Sequence, residues 1–206
     1  MEQRERKIRF FRQHSLETCG ASCILMILNY YRRVQYPTDK QERKLHSLYR
    51  CRAFKGMLAS GIAECLVKNR LDVGIYHSSD HYMDNRDGYY PESLYKAMLD
   101  EYIGTIGKIK AQVHIETGSD ITPDWCREQL GKGKFLIVQC IVPGDADGMH
   151  DETLHWILLC GCDGKDFLAC DPLSGKIRLT ETEMKGYTDT PVGSIGITVD
   201  GYEECE

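Results

Sequence analysis

The chain has 206 residues, 42% of them hydrophobic, with 31 acidic against 26 basic side chains and a formal net charge of -5. That length and apolar content allow one domain, residues 1–206, to bury its own core without disulfide staples, and the acidic balance argues against nucleic acid or an anionic membrane surface as partner. The start "MEQRERKIRFFRQ" lacks a signal-peptide core and no apolar run is long enough for a membrane span, so a soluble, cytoplasmic protein is expected.

A helix begins at Glu17 or Thr18 and runs to about Arg33, because Ile24, Ile27, Leu28 and Tyr31 keep the i, i+3, i+4, i+7 spacing. Residues 21–28 are apolar on nearly every side, which suits a central helix. Pro37 and Asp39 break the chain, and the basic stretch "KQERKLHSLYRCRAFKG" reads as a solvated helix face or a loop. A second helix is predicted over "GMLASGIAECLVKNRL" and a short strand over "DVGIYHS". After a turn-rich segment, "PESLYKAMLDEYI" is a third helix with Pro91 near its first turn, "KIKAQVHIET" alternates as a strand, and "TPDWCREQLGKG" is a short capped helix. Five strand candidates then follow in quick succession: "KFLIVQCIVP", "LHWILLCGCD", "KDFLACDP", "GKIRLT" and "VGSIGITVD". Helices first and strands second is an α+β pattern, a helical lobe against an antiparallel sheet.

Cys19 stands where the first helix opens, and unpaired N–H groups at a helix N-terminus favour a thiolate. Cys23, one turn further in, belongs to the apolar body of that helix and reads as core, as do most of the ten cysteines in a chain with no export signal. A zinc-stabilised interaction module is the weaker reading, since Cys160 and Cys162 are close but no C-x-x-C pair occurs; no metal and no cofactor is expected. Of seven histidines, most lie in polar or turn-rich stretches and are expected to be solvated. His155 differs, since it opens the apolar strand "HWILLCGC". That strand turns at Asp163-Gly164 and returns to Asp171, so His155 and Asp171 share the open end of a hairpin within cross-strand reach. The carboxylate there can take the Nδ1–H of the imidazole, and an Asx turn before Pro172 is compatible with that role. Gln13, six residues before Cys19, supplies an amide N–H for an oxyanion beside the N–H of Cys19 itself.

In "Q-x-x-x-x-x-C-G-A-S-C" at 13–23 and "LHWILLCGCDGKDFLACDPLSGK" at 154–176 the sequence resembles the papain-like cysteine peptidases, most of all the bacteriocin-processing, double-glycine leader (family-39) peptidases and their stand-alone relatives. The resemblance implies a papain-like fold, with Cys19 as nucleophile, His155 as base, Asp171 as its orienter and Gln13 as oxyanion donor. The best-known members are fused to a membrane transporter and an ATPase, neither of which is in these 206 residues, and the segment from about 34 to 134 is larger than the minimal family domain. Expected substrates are a peptide, amide or thioester, with a carrier protein or precursor peptide as a candidate partner. Hydrolysis and transfer to an amine use the same machinery, so both stay open, and a catalytically idle peptide-binding domain is the alternative from another class. The acidic loop "GDADGMHDET" either borders the cleft and prefers basic substrates or is a solvated connection.

Overall fold

The structure, a computed structural model, describes residues 7–143 and 152–201. The acidic loop lies mostly in 144–151, outside the described residues.

Helix α1 is Cys19–Tyr30, preceded by a 3-10 turn at Leu16–Thr18. The helix therefore starts one residue after Thr18. Thr18 Oγ1 donates to the Ser15 carbonyl at 2.8 Å and accepts the Ser15 N–H at 3.2 Å, which holds the entry in the tighter coil. It ends three residues before Arg33, because Arg32 takes the left-handed conformation at φ 56°. Cys19 to Leu28 are all buried, as an all-round apolar run demands.

The basic stretch is largely helix α2, Asp39–Tyr49, capped by Thr38, and α3 is Ala59–Lys68. Strand β1 (Leu71–His77) leads to α4, Glu92–Ile109, which outruns its predicted end. Met98, Tyr102, Ile106 and Ile109 continue a buried stripe at helical spacing, and that packing carries the helix through Gly104 and Gly107. Only Val113–Glu116 of the next predicted strand remains, as β2. Helix α5 (Pro123–Gly131) is capped by Thr122, and strands β3 (Phe135–Pro143), β4 (Glu152–Asp163), β5 (Asp166–Asp171) and β6 (Gly175–Leu179) follow. Helix α6, Glu181–Thr188, was not among the predicted elements, although Thr180 and Glu183 form the reciprocal capping box that marks a helix start. Strand β7 is Ile195–Gly201.

The seven strands form one sheet in the order β2-β1-β7-β3-β4-β5-β6. Its pairs are antiparallel except β1–β2, which α4 connects as a crossover, so the expected purely antiparallel sheet is corrected at that edge. The pleat splits the core in two. Ile137, Trp156 and Leu158 face α1 and α3, while Val138, Ile157 and Leu159 face α5 and α6.

Candidate active site

Cys19 is the first residue of α1 and is 5% exposed. Two contacts fix that end of the helix. Buried Glu42 of α2 accepts the Ser22 hydroxyl at 2.7 Å and the His14 backbone N–H at 2.9 Å, joining α1 to the segment that carries Gln13. Gly20 lies against α3, where an added Cβ would meet Ile62 at 3.1 Å and Met57 at 3.2 Å, a tighter fit than side chains ordinarily make. His14 is no neighbour of the thiol: its imidazole faces Asp39 and Arg43 at the surface.

His155 and Asp171 do meet. Both are buried, and His155 Nε2 lies 2.7 Å from Asp171 Oδ1. The hairpin contains a bulge between Leu159 and Gly161, which shifts the register by one and leaves Leu158 opposite Cys170. Asp171 is thus the diagonal neighbour of His155 rather than its direct partner. The nitrogen is also the other one. Nε2, not Nδ1, meets the carboxylate, and the Cys19 thiol is the imidazole's second hydrogen-bond partner. Helix α1 packs on β4, where Cys23 Sγ donates to the Trp156 carbonyl at 3.5 Å.

Burial opposes charge on this imidazole, but the bonds to Asp171 and Cys19 outweigh it and raise His155 to about 9. For Asp171 burial pushes upward, while the bonds from His155, the Ser174 hydroxyl and the Leu173 N–H bring it down to about 2. The Leu173 N–H closes the Asx turn at 2.8 Å, so one carboxylate serves both the turn and the bond to His155. Nothing in the sequence reading singled out Ser174.

Gln13 lines the same cavity as Cys19 and His155. Its backbone N–H donates to the Pro172 carbonyl at 3.0 Å, which ties it to the Asp171 turn. Its Nε2 donates to the Ser15 carbonyl at 2.9 Å, leaving the second Nε2–H uncommitted. The cavity, about 390 Å³, is walled chiefly by apolar side chains, among them Met57, Met83, Met98, Tyr90 and Trp156. Trp156 Nε1 donates to the Met57 carbonyl at 2.9 Å and pins the 54–58 loop over the sheet. The loop, Met83, Tyr90 and Met98 come from the segment 34–134, and only folding shows that they converge. Gln139 of β3 also lines the cavity. It is 7% exposed, its Oε1 is buried without a donor, and its amide makes no hydrogen bond among the described residues. An unpaired buried amide oxygen costs about 1–3 kcal/mol.

Among the described residues nine cysteines are free and buried, and no group of three or more His, Cys, Asp and Glu side chains is placed to hold a metal ion. Burial, and then Cys19 nearby, pushes the Cys23 thiol well up, consistent with a core role. Against the expectation for most histidines, His77 is fully buried. No helix among the described residues is long and apolar enough to cross a membrane.

No family model and no curated protein matches the sequence. Solved structures do match. The peptidase domain of Streptococcus ComA, a bifunctional ABC transporter involved in a quorum-sensing pathway, aligns with 94% of this chain and 98% of its own at 11% identity, with a TM-score of 0.50. The fold is papain-like. A double glycine motif protease from an AMS/PCAT transporter, solved with its leader peptide, aligns with 95% of this chain and 93% of its own at 16% identity and a TM-score of 0.46. A C39-like peptidase from Bacillus anthracis aligns over 94% of each chain at 11% identity and a TM-score of 0.40. At such identities the likeness is one of fold.

Proposed function

We propose that this papain-like protein is a cysteine-nucleophile enzyme, a peptidase or amidase acting through a thioester acyl-enzyme, with residues 1–206 working as one domain. One observation carries the reading. The thiol at the head of the central helix is hydrogen-bonded to a buried imidazole, which a buried carboxylate holds from the other side, at the wall of an apolar cavity. In the proposed cycle His155 takes the Cys19 thiol proton as the sulfur bonds to the carbonyl carbon, and the carbonyl electron pair moves to oxygen. The free Nε2–H of Gln13 and the N–H of Cys19 receive that oxyanion. As the C–N bond breaks, His155 delivers its proton to the leaving amine. His155 then takes a proton from water, whose oxygen displaces the sulfur and releases the acid. Asp171 keeps the ring oriented and supports its charge throughout. A precursor peptide fits as substrate, as the leader peptide bound to the transporter protease suggests by analogy of fold.

The test begins with limiting iodoacetamide near pH 6. Cys19 is expected to be labelled first, whereas Cys51, whose thiol donates to Glu101 and is pushed up to about 11, stays unmodified. Labelling of Cys51 with Cys19 untouched would remove the nucleophile assignment. Intact-mass analysis with peptide and thioester mixtures then looks for an acyl adduct that Cys19→Ala abolishes, and an added amine distinguishes transfer from hydrolysis.

A further inference from the structure

Helix α3 begins in a way that leaves buried donors over. Leu58 stands at its N-cap and has no side-chain acceptor to offer. The N–H groups of Gly61 and Ile62 both turn to the Leu58 carbonyl, at 3.0 and 3.1 Å. Those of Ala59 and Ser60 have no acceptor among the described residues. Both residues are buried, 3% and 2% exposed, where an unmet backbone donor is costly. The Ser60 hydroxyl likewise makes no hydrogen bond among the described residues. Ser60 lines a groove of about 480 Å³, bordered by the end of α2 and by one face of α4. Two N–H groups and one O–H thus gather at the positive end of a ten-residue helix.

The charges around the groove narrow the ligand. Arg50, Arg52 and Lys108 supply its cations, and Glu64, Asp100 and Glu101 face them with as many carboxylates. Glu64 is held by Lys68 at 2.7 Å, and Glu101 accepts the Arg52 N–H at 2.8 Å and the Cys51 thiol at 3.3 Å. The side chains of Arg50, Arg52 and Lys108 have no ion pair among the described residues. A balance of this kind accepts one negative charge, whereas the second charge of a phosphate would meet Asp100. We propose that the start of α3 is a carboxylate-binding site whose groove takes the C-terminal end of a peptide. Two successive N–H groups and a hydroxyl match the lone pairs of one carboxylate, the way backbone nests capture a chain terminus. Leu48, Tyr49 and Leu58 give the groove an apolar margin for the side chain beside that terminus. The site is separate from the chemistry at Cys19, although Leu58 borders both the groove and the catalytic cavity.

The experiment titrates the whole, 15N-labelled protein at constant ionic strength with four probes: acetyl-leucyl-leucine, its C-terminal amide, acetate and inorganic phosphate. The backbone amide signals of Ala59, Ser60 and Gly61 report the groove, and the indole N–H of Trp156 reports the catalytic cavity. Acetyl-leucyl-leucine is expected to shift the three groove signals saturably, with the amide binding about tenfold or more weakly because it lacks the charge. Binding of acetate about tenfold weaker than that of the acid dipeptide assigns a peptide end, while equal affinities assign a small carboxylic acid to the same site. Ser60→Ala removes one of three donors and should weaken binding about five- to tenfold. Gly104→Leu is the second variant, needed if Ser60→Ala does not fold. Gly104 lines the groove on α4, an added Cβ there meets nothing within 4 Å, and leucine is the better helix former, so the change fills the groove without disturbing the core. It should abolish the shifts at Ala59 and Ser60. Equal affinities of the acid and amide dipeptides would overturn the proposal. So would shifts at Trp156 alone, shifts caused by phosphate but by neither carboxylate, or binding unchanged in the folded variants. None of these outcomes bears on Cys19, whose labelling by iodoacetamide tests the proposed function separately.

Discussion

His77 and His155 are both buried histidines in strands, yet their electrostatics run in opposite directions. His77 closes β1, where its Nε2 meets the hydroxyl of Tyr102 at 2.6 Å, its Nδ1 is unpartnered, and the rings of Tyr82 and Tyr102 pack edge-on against it. Burial with only a neutral partner lowers it to about 4. His155 is buried nearly as well, and the carboxylate of Asp171 and the thiol of Cys19 reverse the outcome, to about 9. Burial by itself therefore discharges a histidine, and it is the ionised partner that makes one an acid–base residue. His155 lines a cavity of about 390 Å³ that Cys19 also lines.

The sharpest way to break this contrast is to remove each ring. His155→Ala is expected to lower turnover by about a thousandfold or more and to slow Cys19 alkylation near pH 6 by at least about tenfold, because the sulfur loses the base that faces it. His77→Gln should leave both readings close to wild type. Equal effects from the two substitutions would show that burial, not the Asp171 pairing, distinguishes the site.

Gln13→Ala comes next. It removes an oxyanion donor without touching the His155–Asp171 pair, so turnover should fall about a hundredfold while alkylation of Cys19 persists. Parallel loss of both would mean that Gln13 acts by holding the Asp171 turn through its bond to Pro172.

The smallest effects lie in the pH dependence of stability, where the two histidines carry opposite signs. For His77 the unfolded chain binds the proton more tightly, so stability falls as pH drops from about 6.5 towards 4, by up to about 3 kcal/mol. His77→Gln, which keeps a partner for Tyr102 and does not titrate, should flatten that acid limb in denaturant titrations. For His155 the folded state binds the proton more tightly. Its contribution is complete below about 6.5 and fades as pH rises through about 9, while that of Asp171 is present above about 3.8 and lost as pH falls through about 2. The destabilisation of Asp171→Asn relative to wild type should therefore be greatest between about pH 4 and 6.5 and shrink on the alkaline side. Its turnover should also be lower, through loss of the orienting carboxylate. A deficit that grows from pH 6.5 to 9 would contradict the ionised pair.

Much of this was legible in the sequence because it is local. Apolar spacing around Ile24, Ile27 and Leu28 reflects the 3.6-residue period of a helix, and the continuous apolar run in "HWILLCGC", bounded by turn residues, marks a strand buried on both faces. The Asp163-Gly164 turn closes one hairpin, so the nearness of His155 to Asp171 follows from counting along a short loop. Even the missed helix α6 had a local signature in Thr180 and Glu183. What only the tertiary structure decided involves surfaces that meet across long separations. These are the bulge that makes the pair diagonal, the ring nitrogen that meets the carboxylate, the parallel β1–β2 edge, and the gathering of Met57, Met83, Met98 and Gln139 in one cavity. His77 and His155 make the point in a single residue type. Each sits in an apolar strand, and whether its charge is suppressed or supported depends on a partner 25 residues away in one case and 16 in the other. A strand's period specifies which face a side chain takes, but its ionisation is set by whatever the fold packs against that face.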